Sequence, residues 1–560
     1  MNRTLILSLL CAVSMGAHLK AAETPEGAAN TPNAKTTAAT TSEDLQRLRR
    51  QVAEQAEQIK RLQQAVESQQ RLIEQTLRNS PSPGASTAAN AGEPVKLMPA
   101  VNPVNPRQAG PAQSESKKPS PLSISLGDTT LTPLGFMDMT YFTRSTNVGS
   151  GIGTNFAGVP NNTTAAGNLS ETNFSAQNSR IGFRVDSTVL GAKVLGYLEA
   201  DFLFNNDANS YQITSNSAGL RLRNYFVDIE KNGFEVLGGQ DWSFLTPNRK
   251  GLSPLPSDIF YSQNMDTNYQ VGLIWTRAPQ FRFIAHPNEN VSFGVALENP
   301  QQYIGGGSGS GTVTLPSALN SALAPQFQSG TAATSVPNLF PDVIFKAAFD
   351  GKPGDRAMHF EAAGFVRGYK DHVISTKAPA VAGSHTATGF GGEINSNLEL
   401  FKNFRFVENA YFSDGGGRYI FGMAPDLVVH PDGDISALHS YSTLDGFEAQ
   451  VSKNTLLAAY YGGEYTGRYT IFDPTAPGST LAKPVYVGYG FPGSSFSNNR
   501  YVQEITFDWV QTLWKNPNYG ALSLINQYSY LWREPWYVAS TGPGQAHSNL
   551  IYVNLRYTLP

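Results

Sequence analysis

Glu504-Ile505-Thr506-Phe507-Asp508-Trp509 places a polar side chain at every even position and a large apolar one at every odd position. A period of two residues is the signature of a β-strand with one face in water and one in an apolar phase. The same alternation recurs in Met137-Asp138-Met139-Thr140-Tyr141, Arg180-Ile181-Gly182-Phe183-Arg184-Val185-Asp186, Glu393-Ile394-Asn395-Ser396-Asn397-Leu398-Glu399-Leu400 and Ile551-Tyr552-Val553-Asn554-Leu555-Arg556-Tyr557. From Leu122 onward such runs are joined by two kinds of connection. Short ones carry turn chemistry, as at Lys231-Asn232-Gly233, Lys402-Asn403, Ser452-Lys453-Asn454 and Asn516-Pro517-Asn518. Long ones, at 145–171, 205–217, 243–266, 300–341, 371–386, 413–437, 466–499 and 534–547, are rich in Gly, Ser, Thr and Asn. Short and long alternate, and sixteen strands fit between them, at about 27 residues for each strand with its connection.

The polar faces decide where the water is. They carry Arg180, Arg184, Glu199, Asp201, Glu361, Arg367, Glu393, Glu399, Glu504, Asp508 and Arg556. A sixteen-strand barrel is too wide for side chains to fill, so charges belong in a wet interior and Ile181, Phe183, Val185, Ile505, Phe507 and Trp509 belong in lipid. Sheet edges cannot be left unpaired in hydrocarbon, so the sheet must close. Tyr141, Trp275, Tyr411, Trp509, Trp514 and Tyr557 are expected in interfacial girdles. The expected fold is therefore all-β, a 16-stranded antiparallel transmembrane β-barrel over residues 122–560.

Composition agrees and excludes other classes. Charged residues make up 15% of the 560, against about 25% in soluble domains, while aromatics reach 11%. With 41 basic and 44 acidic residues there is no bulk positive field for nucleic acid. One cysteine leaves no disulfide framework and no Cys-based metal site. The eight histidines are scattered, no Gly-x-Ser-x-Gly or His-Glu-x-x-His occurs, and an enzyme is not expected. No catalytic residue, metal or cofactor is assigned.

The N-terminal part reads separately. Residues 1–22 form a secretory signal: Arg3, an apolar stretch from Leu5 to Met15, and a small-residue exit near Ala21-Ala22. Residues 42–78 lack Gly and Pro and repeat in heptads, with Leu45, Val52, Ile59, Val66 and Ile73 at a, and Leu48 and Leu62 among the d positions. Gln55, Gln69 and Thr76 fill the other d layers, which suits a register-specifying, self-associating coiled coil. Residues 79–121 hold nine prolines and no aromatic cluster, the composition of an extended linker.

At the level of motifs the chain resembles a known family. Leu134-Gly135-Phe136, Ser175-Ala176-Gln177-Asn178-Ser179-Arg180, Leu198-Glu199-Ala200-Asp201-Phe202, Leu220-Arg221-Leu222-Arg223 and Gly239-Gln240-Asp241-Trp242-Ser243 through Thr246-Pro247 are similar to DcaP-like outer-membrane porins. The resemblance is best over roughly residues 131–300. It implies a homotrimer in outer-membrane lipid with a periplasmic N-terminal coiled coil, and passive uptake of small organic anions such as dicarboxylates. One departure is the C-terminus, Tyr557-Thr558-Leu559-Pro560, where such barrels usually end in Phe. Leu559 keeps the outward parity of Leu555 and Tyr557.

Selectivity in a pore lives at its narrowest point. The connection after the fifth strand, 243–262, holds Pro247, Pro254 and Pro256 with Phe244 and Leu245, and reads as a compact loop folded inward. Arg180 and Arg184 share the lumen face of the second strand, Arg221 and Arg223 lie on the fourth, and Arg249 and Lys250 sit on the loop. Set against Asp241 or Asp258, they would produce a transverse field that orients anionic or dipolar solutes. The alternative is that these arginines are struts paired with Glu199 and Asp201. Residues 123–560 carry 27 basic and 34 acidic side chains, so an anion preference rests on placement and on the resemblance. Two other functions fit the pattern. A sugar-selective porin would use Tyr197, Tyr460 and Tyr530 as a stacking track, and an envelope tether or adhesin would have the stalk as its purpose.

Overall fold

The computed structural model describes residues 120–204, 218–259, 264–265, 268–329, 336–374, 382–538 and 546–560. The signal sequence, the coiled-coil positions Leu45 to Ile73 and nearly all of the linker lie outside the described residues. Sixteen long strands follow one another in chain order: β1 (Thr129–Arg144), β2 (Glu171–Ser175, resumed at Arg180–Val189), β3 (Ala192–Phe204), β4 (Gly219–Lys231), β5 (Phe234–Trp242), β6 (Arg277–Asn288), β7 (Val291–Glu298), β8 (Asp342–Gly351), β9 (Met358–Ile374), β10 (Ala382–Phe401), β11 (Phe404–Asp414), β12 (His439–Ser452), β13 (Thr455–Thr466), β14 (Asn499–Asn516), β15 (Gly520–Pro535) and β16 (Ala546–Thr558). Each pairs antiparallel with the next. The ring closes where Phe136–Arg144 of β1 pair with Thr558–Leu550 of β16.

The two faces are inverted relative to a soluble protein. Phe507 is 55% exposed and Trp509 48%, whereas Glu504, Thr506 and Asp508, which alternate with the apolar residues of the same strand, are buried. The same holds around the ring: Ile181, Phe183, Val227, Phe283, Phe345 and Leu555 stand outside, and Arg180, Glu361, Glu393, Asn409 and Arg556 inside. Polar groups turned into the sheet's interior and apolar ones turned to the surroundings fit a barrel solvated by acyl chains. No helix among the described residues is long and apolar enough to cross a membrane. Placing a charge on the outer face at Phe507→Lys is expected to lower stability by about 2–4 kcal/mol. Urea unfolding in micelles checks this, with Thr506→Ser on the inner face as the near-neutral control.

The connections differ from the expectation at several points. The loop after β5 runs to Thr276, not 262, because Gly272 to Trp275 stay irregular before β6 starts. Strands β9 and β10 extend into what reads as a long loop, their register continuing to Ile374 and Ala382. Two girdle assignments are overturned. Trp275 lies in that inward loop and is buried, and Tyr411 is on the lumen face of β11, its hydroxyl donating to the Gly416 carbonyl. Neither position could be distinguished from a girdle by composition, since both are aromatic residues near strand ends.

The long loops pack over and into the barrel. Residues 300–328, 419–438 and 469–489 share an apolar cluster that includes Ile304, Leu323, Phe327, Val428, Ile471 and Tyr489. Inside the ring, Phe244, Leu245, Leu252, Val271 and Ile274 of the β5–β6 loop pack against wall residues Ile284, Ala296, Ile344, Val502 and Ile525. The bore is thus much narrower than sixteen strands alone would leave.

Candidate functional site

The β5–β6 loop crosses the lumen and is tied to the wall nearly all the way round. Its first residues anchor near their own strand, where Phe244 N–H and the Ser243 hydroxyl donate to Glu298 of β7 at 2.6 and 3.0 Å. Lys346 of β8 donates to the Thr246 carbonyl at 2.9 Å, and Asn248 N–H donates to Glu361 of β9 at 3.1 Å. On the far side Arg249 grips Glu448 of β12 through both guanidinium nitrogens, at 3.0 and 2.5 Å. Val271 N–H and the Gln270 amide then donate to Glu504 of β14. A strand cannot present backbone donors to a lumen carboxylate, so these bonds require a loop threaded between opposite walls.

Glycines allow the contact to close. A Cβ on Gly272, whose φ is +87°, would stand 2.0 Å from the Thr443 carbonyl oxygen, and one on Gly462 of β13 would stand 1.8 Å from that of Val271. Only glycine on both partners lets two backbones approach this closely.

The charged residues singled out from the sequence fall into two groups rather than one. Towards the loop end, Arg221 binds Asp201 bidentately at 2.9 and 2.7 Å, while Arg223 bridges Glu199 at 2.7 Å and Asp201 at 2.6 Å. Arg180 lies 3.6 Å from Glu199 and 3.5 Å from the Tyr269 hydroxyl. Towards the turn end, Arg184 is held by its neighbour Asp186 at 2.7 Å, and Lys250 and Asp258 line a second cavity with Asp350, Glu235 and His286. Burial pushes the Asp258 carboxyl above its usual value, against the opposing pull of the Ser253 hydroxyl and Lys250. Asp241 faces neither group. It pairs with Arg282 at 2.9 Å and accepts from Asn224 at 2.5 Å, which makes it part of the wall.

The loop-end group borders a cavity of about 370 Å³. Arg221, Arg223 and Arg277 supply its charge, and Trp242, Tyr269, Trp275 and Phe421 its apolar wall. The rings pack closely at tilted angles, Trp242 to Trp275 at 3.8 Å and Tyr269 to Trp275 at 4.3 Å between centroids. Arg277 and Arg223 lie over Trp242 at 4.9 and 5.4 Å. Among the described residues, Arg277 Nη1 and Arg223 Nη2 are buried donors without a hydrogen-bond acceptor. Four guanidinium groups with two carboxylates leave an excess of positive charge at this point, although the barrel as a whole is acidic.

Arg277 was not legible as a site residue. It follows a long irregular stretch at the start of β6, and only the return of the loop brings it beside β4. The aromatic track expected from Tyr197, Tyr460 and Tyr530 is not assembled. Tyr197 and Tyr460 donate to Glu199 and Glu448, and Tyr530 faces outward beside Trp532 and His547. Among the described residues no group of three or more His, Cys, Asp or Glu side chains is placed to hold a metal ion.

A closed sixteen-strand barrel with an apolar exterior, a charged interior and a loop folded across its bore has the architecture of a porin. Among solved structures, it is similar to the outer membrane channel DcaP of Acinetobacter baumannii, with 16% identity over 77% of this chain and 97% of that one and a TM-score of 0.53. At that identity the likeness is one of fold. Overlaps with OmpT of Vibrio cholerae (9% identity, 78% of this chain, 99% of that chain, TM-score 0.41) and with an anion-selective porin from Comamonas acidovorans (13%, 77%, 99%, TM-score 0.39) are looser. At the level of sequence the chain matches no known family model and no curated protein.

Proposed function

We propose that this chain is an outer-membrane porin through which small hydrophilic solutes diffuse passively, with a preference for small organic anions such as dicarboxylates. The observation that carries the anion preference is the loop-end cavity. Two buried guanidinium groups there, Arg223 and Arg277, hold N–H donors with no acceptor among the described residues. Such donors are expensive to leave unmet, and a carboxylate could meet them with one oxygen to each arginine in charge-assisted hydrogen bonds. The clustered rings of Trp242, Trp275 and Tyr269 give the organic body of the solute an apolar surface. A small inorganic anion could meet the charge but would leave that surface wet.

Selective passage needs a site strong enough to enter and weak enough to leave. Glu199 and Asp201 serve this by partly neutralising the arginines, so an anion meets a modest excess of charge rather than a trap. The purified full-length protein in planar bilayers under a potassium chloride gradient should give a reversal potential of the anion-preferring sign. Millimolar dicarboxylate should reduce the chloride current. A cation-preferring potential, or block by oligosaccharide with none by dicarboxylate, would overturn the reading, and the second result would favour a sugar channel.

A further inference from the structure

The outer rim of the barrel at its loop end carries a cluster that takes no part in lining the bore. Tyr441 of β12, Tyr465 of β13 and Tyr501 of β14 are successive cross-strand partners on the outer face, their ring centroids 5.9 and 5.2 Å apart. A row of tyrosines at a strand end marks the height at which acyl chains give way to headgroups. Just beyond it, Trp536 of the β15–β16 connection packs edge-on against Tyr465 at 6.0 Å. Its indole N–H donates to the Thr466 carbonyl at 2.8 Å. Gly490, at φ +69°, gives the ring its seat, since a Cβ there would stand 2.5 Å from the indole.

Two arginines reach this indole from different segments. The guanidinium carbons of Arg468 and Arg500 lie 5.3 and 5.0 Å from its centroid, and Arg500 also lies over Tyr501 at 4.9 Å. Both side chains are exposed. Among the described residues neither forms an ion pair with a carboxylate, Glu534 of β15 included, although it stands opposite Tyr501 in the register. Two like charges are thus held against one ring, an arrangement that an anion would relieve. A guanidinium lying over a ring keeps its N–H edge free, and that fork matches phosphate oxygens two at a time. The described chain ends meet at the opposite, turn end of the barrel, where Ser120 donates to the Pro560 carbonyl. Short turns on the periplasmic side put the long loops, and this cluster with them, at the outer leaflet. In an outer membrane that leaflet is built of phosphorylated glycolipid.

We propose that Arg468, Arg500 and Trp536 form a binding site for the phosphorylated headgroup of an outer-leaflet glycolipid. The arginines take phosphate oxygens, and the rings of Trp536, Tyr465 and Tyr501 lie along the sugar and the upper part of an acyl chain. Occupied, the site ties the β13–β14 and β15–β16 connections to the leaflet around them. This inference rests on the barrel spanning an outer membrane with its long loops outward, and not on which solute it passes.

The test uses the full chain extracted from its membrane in mild detergent, with the phosphorylated glycolipid that stays bound counted per chain by its hydroxy fatty acids. Arg468→Gln combined with Arg500→Gln should retain about fivefold less than wild type. Lys352→Gln with Lys402→Gln, the same loss of charge at exposed turn-end positions, should retain the wild-type amount. Arg468→Lys with Arg500→Lys should fall between the two, because it keeps the charge and loses the fork. Delipidated wild type should rebind the glycolipid but not the same lipid after phosphatase treatment, and millimolar inorganic phosphate should not displace it. Equal retention by the glutamine pair, an equal loss in the turn-end control, or binding of the dephosphorylated lipid would each overturn the proposal. Displacement by inorganic phosphate would also overturn it, by making this a site for a free anion. Conductance of the same preparations keeps the outcomes separate: a glutamine pair that conducts as wild type and still holds its lipid sinks the site and leaves the channel standing.

Discussion

Arg221→Ala combined with Arg277→Ala is expected to cut the chloride-over-potassium permeability ratio by about fivefold in planar bilayers. One unit charge about 8 Å from a permeating ion, in a passage of effective dielectric near 40, is worth about 1 kcal/mol before salt screening, which corresponds to that factor. Two charges removed and partly screened give a similar figure. The choice of residues matters. Arg221 is partly exposed at the cavity wall, and Asp201 keeps Arg223 at 2.6 Å when Arg221 is gone. Arg223→Ala would be a poor probe, because Glu199 and Asp201 would lose their buried partner, a loss that typically costs about 3–5 kcal/mol. Arg184, paired with Asp186 outside the cavity, should matter much less. A reversal potential unchanged in the double variant would remove the cavity from any account of selectivity.

The second large effect should come from the loop. Replacing residues 247–274 with a short Gly-Ser linker is expected to raise single-channel conductance by about two- to fivefold, since a sixteen-strand barrel is wide and its interior loops set the narrowest section. The wall groups freed by the change, Glu361, Glu448 and Glu504, would turn to water in the widened bore. A milder version is Gly272→Val, which should lift the tip off β12 and β13 and increase current noise with little change in the mean. Channels that insert and conduct at the wild-type level without the loop would show that the passage runs elsewhere.

The inward loop itself was readable in part. Three prolines with Phe244 and Leu245 between two strands indicate a compact segment, and Leu245, Leu252 and Leu255 are indeed buried. Its end was misplaced because Gly272 to Trp275 have the apolar, aromatic composition of a strand. What holds that stretch irregular is the wall together with the β11–β12 loop: Ile274 N–H donates to Asn409 of β11 and Trp275 N–H to the carbonyl of Tyr419 in that loop, partners more than a hundred positions away in sequence. Arg221 and Arg223 were found from their alternation with Leu220 and Leu222. Arg277 and Arg282 were missed because nothing local separates them from ordinary strand arginines.

Alternation of polar and apolar residues, with the alternation of short and long connections, determined the approximate number of strands and, within the clear runs, which side chains point inward, and hence that this chain closes on itself in an apolar surround. Those properties follow from the pleat, in which neighbouring residues face opposite sides whatever the rest of the fold does. Which inward charges meet is a different matter. Arg249 opposite Glu448, Arg277 beside Arg223, and Asp241 bound to Arg282 depend on where loops return and on which strands curve to face one another. Those distances are set by closure of the whole ring, and a period of two residues carries no information about them.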